Sequence, residues 1–156
     1  MRTFSLLRGL SVIVLNNGRA IGEVNDLFIS PEGLVKGLWV KNHSFIRKSF
    51  FLDIKDVYSF GWDGVMIESC AVLTAIPKHS NFTIANENRL AGRMMMTREG
   101  DRLGLLQDVY FNEEMGTIVG YELSDGFFSD VLEGKKVVKA SCAPAIGKDA
   151  IIVNVE

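Results

Sequence analysis

Two cysteines, Cys70 and Cys142, and two histidines, His43 and His79, are the residues of this 156-residue chain best suited to nucleophilic or metal chemistry. A zinc site needs clustered ligands, as in C-x-x-C or a His pair on one element, and none of the four is spaced that way. Met94-Met95-Met96 offers soft sulfur ligands, but strand alternation would put Met95 on one face and its neighbours on the other, as ordinary packing. None of the 15 glycines forms a G-x-x-x-x-G-K-[ST] or G-x-G-x-x-G phosphate loop. G-x-S-x-G and H-E-x-x-H are also absent, and no carboxylate has an evident acid/base partner. The expectation is a protein that is not an enzyme and has no cofactor and no metal.

Two segments have the composition of binding loops. Lys41 to Phe50 mixes basic residues with aromatics, and Phe45, Arg47 and Lys48 are its candidate contacts, since cations beside rings hold phosphate and stack bases. Phe127 and Phe128 adjoin Asp125, Asp130 and Glu133, and such a pair either caps the core or anchors a partner protein. Overall charge works against nucleic acid. There are 17 Lys+Arg against 19 Asp+Glu, net −2, which excludes a broadly basic RNA or DNA binder. Residues 1–78 carry nine basic and seven acidic side chains, net +2, and residues 79–156 carry eight and twelve, net −4. Unlike halves make a head-to-tail homo-oligomer conceivable. The apolar run from Phe4 to Leu15 is broken by Arg8 and falls short of the ~18 residues a spanning helix needs. The chain is therefore expected to be soluble and cytoplasmic, without a transmembrane segment and with reduced thiols.

The elements that would position these residues come in two copies. Gly18-Arg19-Ala20-Ile21-Gly22-Glu23-Val24-Asn25-Asp26-Leu27-Phe28-Ile29 aligns with Gly100-Asp101-Arg102-Leu103-Gly104-Leu105-Leu106-Gln107-Asp108-Val109-Tyr110-Phe111 at an offset of 82. Gly33, Gly37, Leu38 and Val40 then meet Gly116, Gly120, Tyr121 and Leu123 at 83, and Phe60 to Ile67 meets Ile146 to Val153 at 86. Leu7 and Gly9 match Leu90 and Gly92.

Short apolar or β-branched runs separated by Gly and Asn turns predict strands at Val12–Leu15, Val24–Ile29, Val35–Val40 and Val65–Ile67. Their counterparts are Met94–Thr97, Leu105–Phe111, Thr117–Leu123 and Ala150–Val155. The best helical candidate is Ser129 to Glu133. The class is all-β. Gly22 and Gly104 inside strand patterns predict bulges or bends that let a small sheet curl. Asp26 and Asp108 interrupt apolar runs at matching places, as side chains that accept hydrogen bonds from backbone amides.

The pattern G-x-x-[IL]-G-x-[VL]-x-D-[LV], followed by a turn, a strand and a distal [FI]-G-x-D-x-[VI]-[MI]-[IV], resembles the PRC-barrel family. That module is named for the cytoplasmic domain of the photosynthetic reaction-centre H subunit. It is also similar to the C-terminal domain of the bacterial factor that assists small-subunit rRNA processing. The resemblance implies two tandem small PRC-type β-barrels packed together, with few short helices. Copy 1 is placed at 1–77, a polar linker at 78–85 and copy 2 at 86–156. Phe82 and Ile84 could pack between the copies. It also implies that Gly18, Gly22, Asp26, Gly61 and Asp63, and Gly100, Gly104, Asp108, Gly147 and Asp149, shape the barrel and do no catalysis. The copies differ where copy 1 has Lys41–Phe50 and copy 2 has Ser124–Lys136, and where copy 2 has Cys142-Ala143-Pro144 and copy 1 has Asp56-Val57-Tyr58; a binding site that distinguishes the copies belongs at these places. By resemblance the function is a protein-interaction adaptor with a protein partner. The alternatives are a factor in RNA metabolism or ribosome maturation, meeting RNA through a ribosomal or RNA-processing complex, and a membrane-peripheral assembly subunit.

Overall fold

Period-two burial runs through the short strands: Val12 and Val14 are buried between half-exposed neighbours, as are Ile151 and Val153 in the matching place. The computed structural model describes residues 1–42, 48–78, 81–124, 136–139 and 142–154. In the first part of the chain the strands are β1 Arg2–Thr3, β2 Ser11–Val14, β3 Ala20–Ile29, β4 Val35–Asn42, β5 Ser49–Asp53, β6 Ser59–Phe60, β7 Gly64–Ile67 and β8 Leu73–Thr74. There follow β9 Phe82–Thr83, β10 Met94–Thr97, β11 Arg102–Phe111, β12 Ile118–Ser124, β13 Lys136–Lys139, β14 Ala145–Ile146 and β15 Ala150–Val153. A single turn of helix, α1, spans Phe4–Leu7. The helical candidate at Ser129 to Glu133 lies outside the described residues.

The strands form two sheets, in the orders β6-β7-β2-β3-β4-β5-β8 and β13-β12-β11-β10-β15-β14. The all-β expectation holds, and the corresponding strands pair alike. β2 runs antiparallel to β3 and parallel to β7, as β10 does to β11 and β15. The terminal strands of each path do not pair with one another among the described residues, so each hydrogen-bonded ladder is open and closure into a barrel is not seen. The register slips three times in each copy, at matching places. Ile21 and Leu103 are passed over beside Gly22 and Gly104, then Asn25 and Gln107 beside the aspartates, then Lys36 and Val119. Bulges bend a strand and increase its twist, and this is where the expected curl is built. Gly22 also meets Val40 and Lys41 so closely that a Cβ would collide with the Lys41 carbonyl.

Each lead-in strand pairs with the other copy. β2 covers only the first half of the outer edge of β3; the second half, Phe28 and Ile29, pairs with Thr83 and Phe82 of β9. Reciprocally, Tyr110 and Phe111 of β11 pair with Thr3 and Arg2 of β1. The stretch read as a linker thus contributes a strand to the first sheet, and the first residues of copy 1 contribute one to the second. A single core of buried residues from both halves lies between, from Phe4, Leu7 and Leu27 to Met95, Phe111 and Ile151. A ~70-residue unit buries too little apolar surface to be comfortable alone, which is the physical reason to share one.

Candidate functional site

The exchanged segments are held by the two repeat aspartates. Asp26 is wholly buried, and its Oδ1 accepts the amides of Leu27 at 2.8 Å and Ile84 at 2.9 Å. Its Oδ2 accepts the Ala85 amide at 3.0 Å and the Asn86 side-chain amide. Asp108 repeats the arrangement from the other side, with Oδ1 accepting from Val109 at 2.8 Å and Phe4 at 3.0 Å, and Oδ2 from Ser5 at 3.2 Å. The first amides of a helix have no partner within it. Thr3, at the N-cap of α1, makes no side-chain cap, and the carboxylate of the other copy supplies the acceptors instead.

Of the motif glycines, Gly22 and Gly104 lie within β3 and β11, and the other four sit at turns. Gly18 donates to the Val14 carbonyl at 2.8 Å and Gly100 to that of Thr97 at 3.1 Å. Gly61 and Gly147 donate to the carbonyls of Gly64 and Ala150, both at 2.9 Å, in turns whose exposed tips carry Asp63 and Asp149. Of the candidate partner contacts, Phe45, Arg47, Phe127 and Phe128 lie outside the described residues. Lys48 is exposed, its Nζ 6.0 Å from the centre of the Phe50 ring. Nearby, Asn17, Arg19, Ile21, Asn42, Phe50 and Leu73 line an open cleft of about 600 Å³ at the end of the first sheet.

Two further clefts lie between the copies and correspond to one another. In one, the β3–β4 turn with Glu32, Gly33 and Leu34 faces Cys142, Ala143 and Pro144, leaving about 180 Å³. Pro144 packs against Gly33 so tightly that a Cβ there would strike its ring. In the other, the β11–β12 turn with Glu113 and Glu114 faces Ile54, Lys55, Val57, Tyr58, Ser59 and Phe60 around about 390 Å³. Tyr58 is 64% exposed, and with Lys55 and Val57 it also lines another cleft of about 310 Å³, bordered by Asp56, Glu68 and Val72. The difference falls on one of the two places where the repeats diverge, Asp56-Val57-Tyr58 against Cys142-Ala143-Pro144.

At one end of the larger cleft a guanidinium is already held. Arg2 of β1 donates to the carbonyls of Gly61 and Phe60, stands 3.8 Å from a Glu113 carboxylate oxygen, and lies 4.6 Å from the centre of the exposed Trp62 ring. Arg2, Trp62, Glu113 and Glu114 were not singled out by sequence reasoning. The available signal was the pair Glu113-Glu114 followed by an exposed Met115, at the turn that gained one residue between the copies.

On the other side of the molecule, burial pushes the Tyr121 phenol well above the usual tyrosine value, with Cys142 adding to the shift. Its hydroxyl is enclosed and unpartnered among the described residues. No group of three or more His, Cys, Asp or Glu able to hold a metal ion occurs among the described residues. No helix among them is long and apolar enough to cross a membrane.

Comparison with known proteins agrees with this architecture. The PRC-barrel domain matches residues 86–155, the second copy, whose strand pairings the first copy repeats. The chain is similar to the uncharacterized protein YrrD of Bacillus subtilis (strain 168), at 32% identity over 157 positions covering 99% of this chain and 88% of that protein. With two copies of one strand arrangement, and this match over the second, the chain belongs to the PRC-barrel family.

Proposed function

We propose that the chain is a non-catalytic adaptor that docks a protein partner along the cleft beside Tyr58. The reading rests on the contrast between the two corresponding clefts: one, where Pro144 packs against Gly33, holds about 180 Å³, while the other holds about 390 Å³ beside an exposed Tyr58. Exposed apolar residues scattered singly are ordinary. A large exposed aromatic ring that lines two clefts, at one of the places where the repeats diverge, is the type of anchor that dominates protein interfaces.

The test is a photo-crosslinking residue in place of Tyr58, carried by the full chain in nuclease-treated cell extract. A discrete protein adduct, absent when the crosslinker replaces the exposed Glu99, which lines neither cleft, is the expected result. No adduct, or one that nuclease abolishes, counts against the adaptor.

A second reading, a factor in RNA metabolism or ribosome maturation, draws support from the cleft at the end of the first sheet. There Arg19 and two asparagines flank Phe50, with Lys48 beside the ring. It predicts salt-sensitive retention of the chain on immobilised RNA, weakened by Arg19→Ala. Retention that ignores both salt and the substitution counts against it.

A further inference from the structure

We infer that the partner segment docking beside Tyr58 is basic and bears an arginine that lies against the Tyr58 ring; this rests on the adaptor reading. The two clefts that Tyr58 lines are bordered by Glu113, Glu114, Asp56 and Glu68, with Lys55 the cation among their lining residues. Glu113 is engaged by the Met1 ammonium at 2.8 Å and by Arg2 at 3.8 Å, so the Glu113 end of the cleft is itself more than neutralised. Glu114, Asp56 and Glu68 have no ion pair among the described residues, so these borders retain one net negative charge after Lys55, Arg2 and the Met1 ammonium are set against the four carboxylates. A phosphate backbone or an acidic peptide is repelled there, and a cationic segment is drawn in.

The same end of the molecule shows how such a side chain is held. Arg2 enters with its guanidinium over Trp62, beside the Glu113 carboxylate, and donates to two carbonyls. Arg93 does likewise in the other copy, over the Phe82 ring at 5.3 Å and donating to the Gly147 carbonyl at 2.7 Å. Tyr58 and Glu114, which line one cleft, offer a ring and a carboxylate again, and among the described residues no aromatic ring or cation stacks on the 64%-exposed Tyr58. A planar guanidinium suits this combination better than an ammonium, because it stacks on the ring and spreads several donors toward oxygen.

The test uses the full chain and three fluorescent peptides of equal length, alternating Ala with Arg, Lys or Glu, with binding read by anisotropy. Binding in the order Arg above Lys, with none for Glu, is expected, weakening as salt screens the borders. Tyr58→Ala should weaken the Arg peptide about fivefold, the size of one exposed cation–π contact, while Tyr58→Phe leaves it unchanged. Glu114→Gln should weaken it by about twofold. Tyr58 and Glu114 are exposed, so these variants are expected to keep the wild-type fold, checked by their circular dichroism.

Equal binding of the Glu peptide, or indifference to Tyr58→Ala, overturns the inference. A protein adduct at position 58 with no Arg-peptide binding overturns the basic chemistry and leaves the adaptor standing. Absence of both overturns the two together.

Discussion

Replacing Asp26 with alanine withdraws the acceptor from four donors, three of which belong to the lead-in of the other copy. Leu27 and Ile84 are enclosed, at 0% and 2% exposure, so their amides find no water when the carboxylate goes. A buried donor left unsatisfied costs about 1–3 kcal/mol, so the two together cost about 4 kcal/mol. Ala85 is half-buried and adds about 1 kcal/mol, while the exposed Asn86 side chain can turn to solvent. Asp108→Ala strands the amides of Val109 and Phe4 in the same way, but Ser5 is exposed. Its loss is about 4 kcal/mol, slightly below that of Asp26→Ala. Against a total stability of about 5–15 kcal/mol, both variants fold with little margin. Urea unfolding followed by circular dichroism measures the losses, and amide hydrogen exchange places them. Asp26→Ala should deprotect Ile84 and Ala85, and Asp108→Ala should deprotect Phe4 and Ser5. A loss under about 1 kcal/mol, smaller than one orphaned buried donor, refutes the reasoning. So does faster exchange confined to the half that carries the substitution.

Gly116 lies at φ +75°, donates to the Asn112 carbonyl, and abuts the Val35 carbonyl of the other copy. Gly116→Ala should cost about 2–4 kcal/mol in urea unfolding, from the left-handed backbone and the collision together. Met95→Ala should cost about 2–5 kcal/mol, whereas Met96→Ala, half-exposed on the opposite face, should cost well under half as much in the same assay. Tyr121 holds its proton more tightly folded than unfolded, so its contribution is intact below the ordinary value of about 10 and is lost as pH rises beyond it. Stability measured across that range should fall with pH, and Tyr121→Phe should flatten the fall. Because the two sheets share one core, thermal unfolding by calorimetry should give one transition; two well-separated transitions would contradict the shared core.

The repeat offsets located nearly all the longer strands, because alternation and Gly-rich turns are local signals. They also marked Gly22 and Gly104 as bulge positions, since a glycine inside a strand pattern has few other uses. β1 and β9 were not legible: a two-residue strand has no period, and its partner is chosen by which edge remains uncovered. That is why 78–85 read as a linker although β9 lies inside it. The parallel pairings of β2 with β7 and β10 with β15 were hidden for a related reason, as parallel neighbours need a connection with no fixed length or composition. At the candidate site, divergence between the repeats pointed to Tyr58 and to Cys142-Ala143-Pro144. Arg2 escaped notice because its role depends on Trp62 and Glu113, which only the folded chain brings near it.

The reciprocal exchange also orders events during synthesis. The carboxylate that receives the Phe4 amide lies 104 residues downstream of it and is made that much later. The Asp26 clasp spans 58 residues, and its donors emerge before the second sheet exists. At about 5–20 residues per second, α1 and β1 wait several seconds for a partner while the first sheet can already gather. The chain therefore closes its inner clasp first and its outer one last. Its first residues spend that interval with their amides facing water or whatever else binds them. Contacts of such long span slow folding, and here the slow step coincides with completion of the second copy.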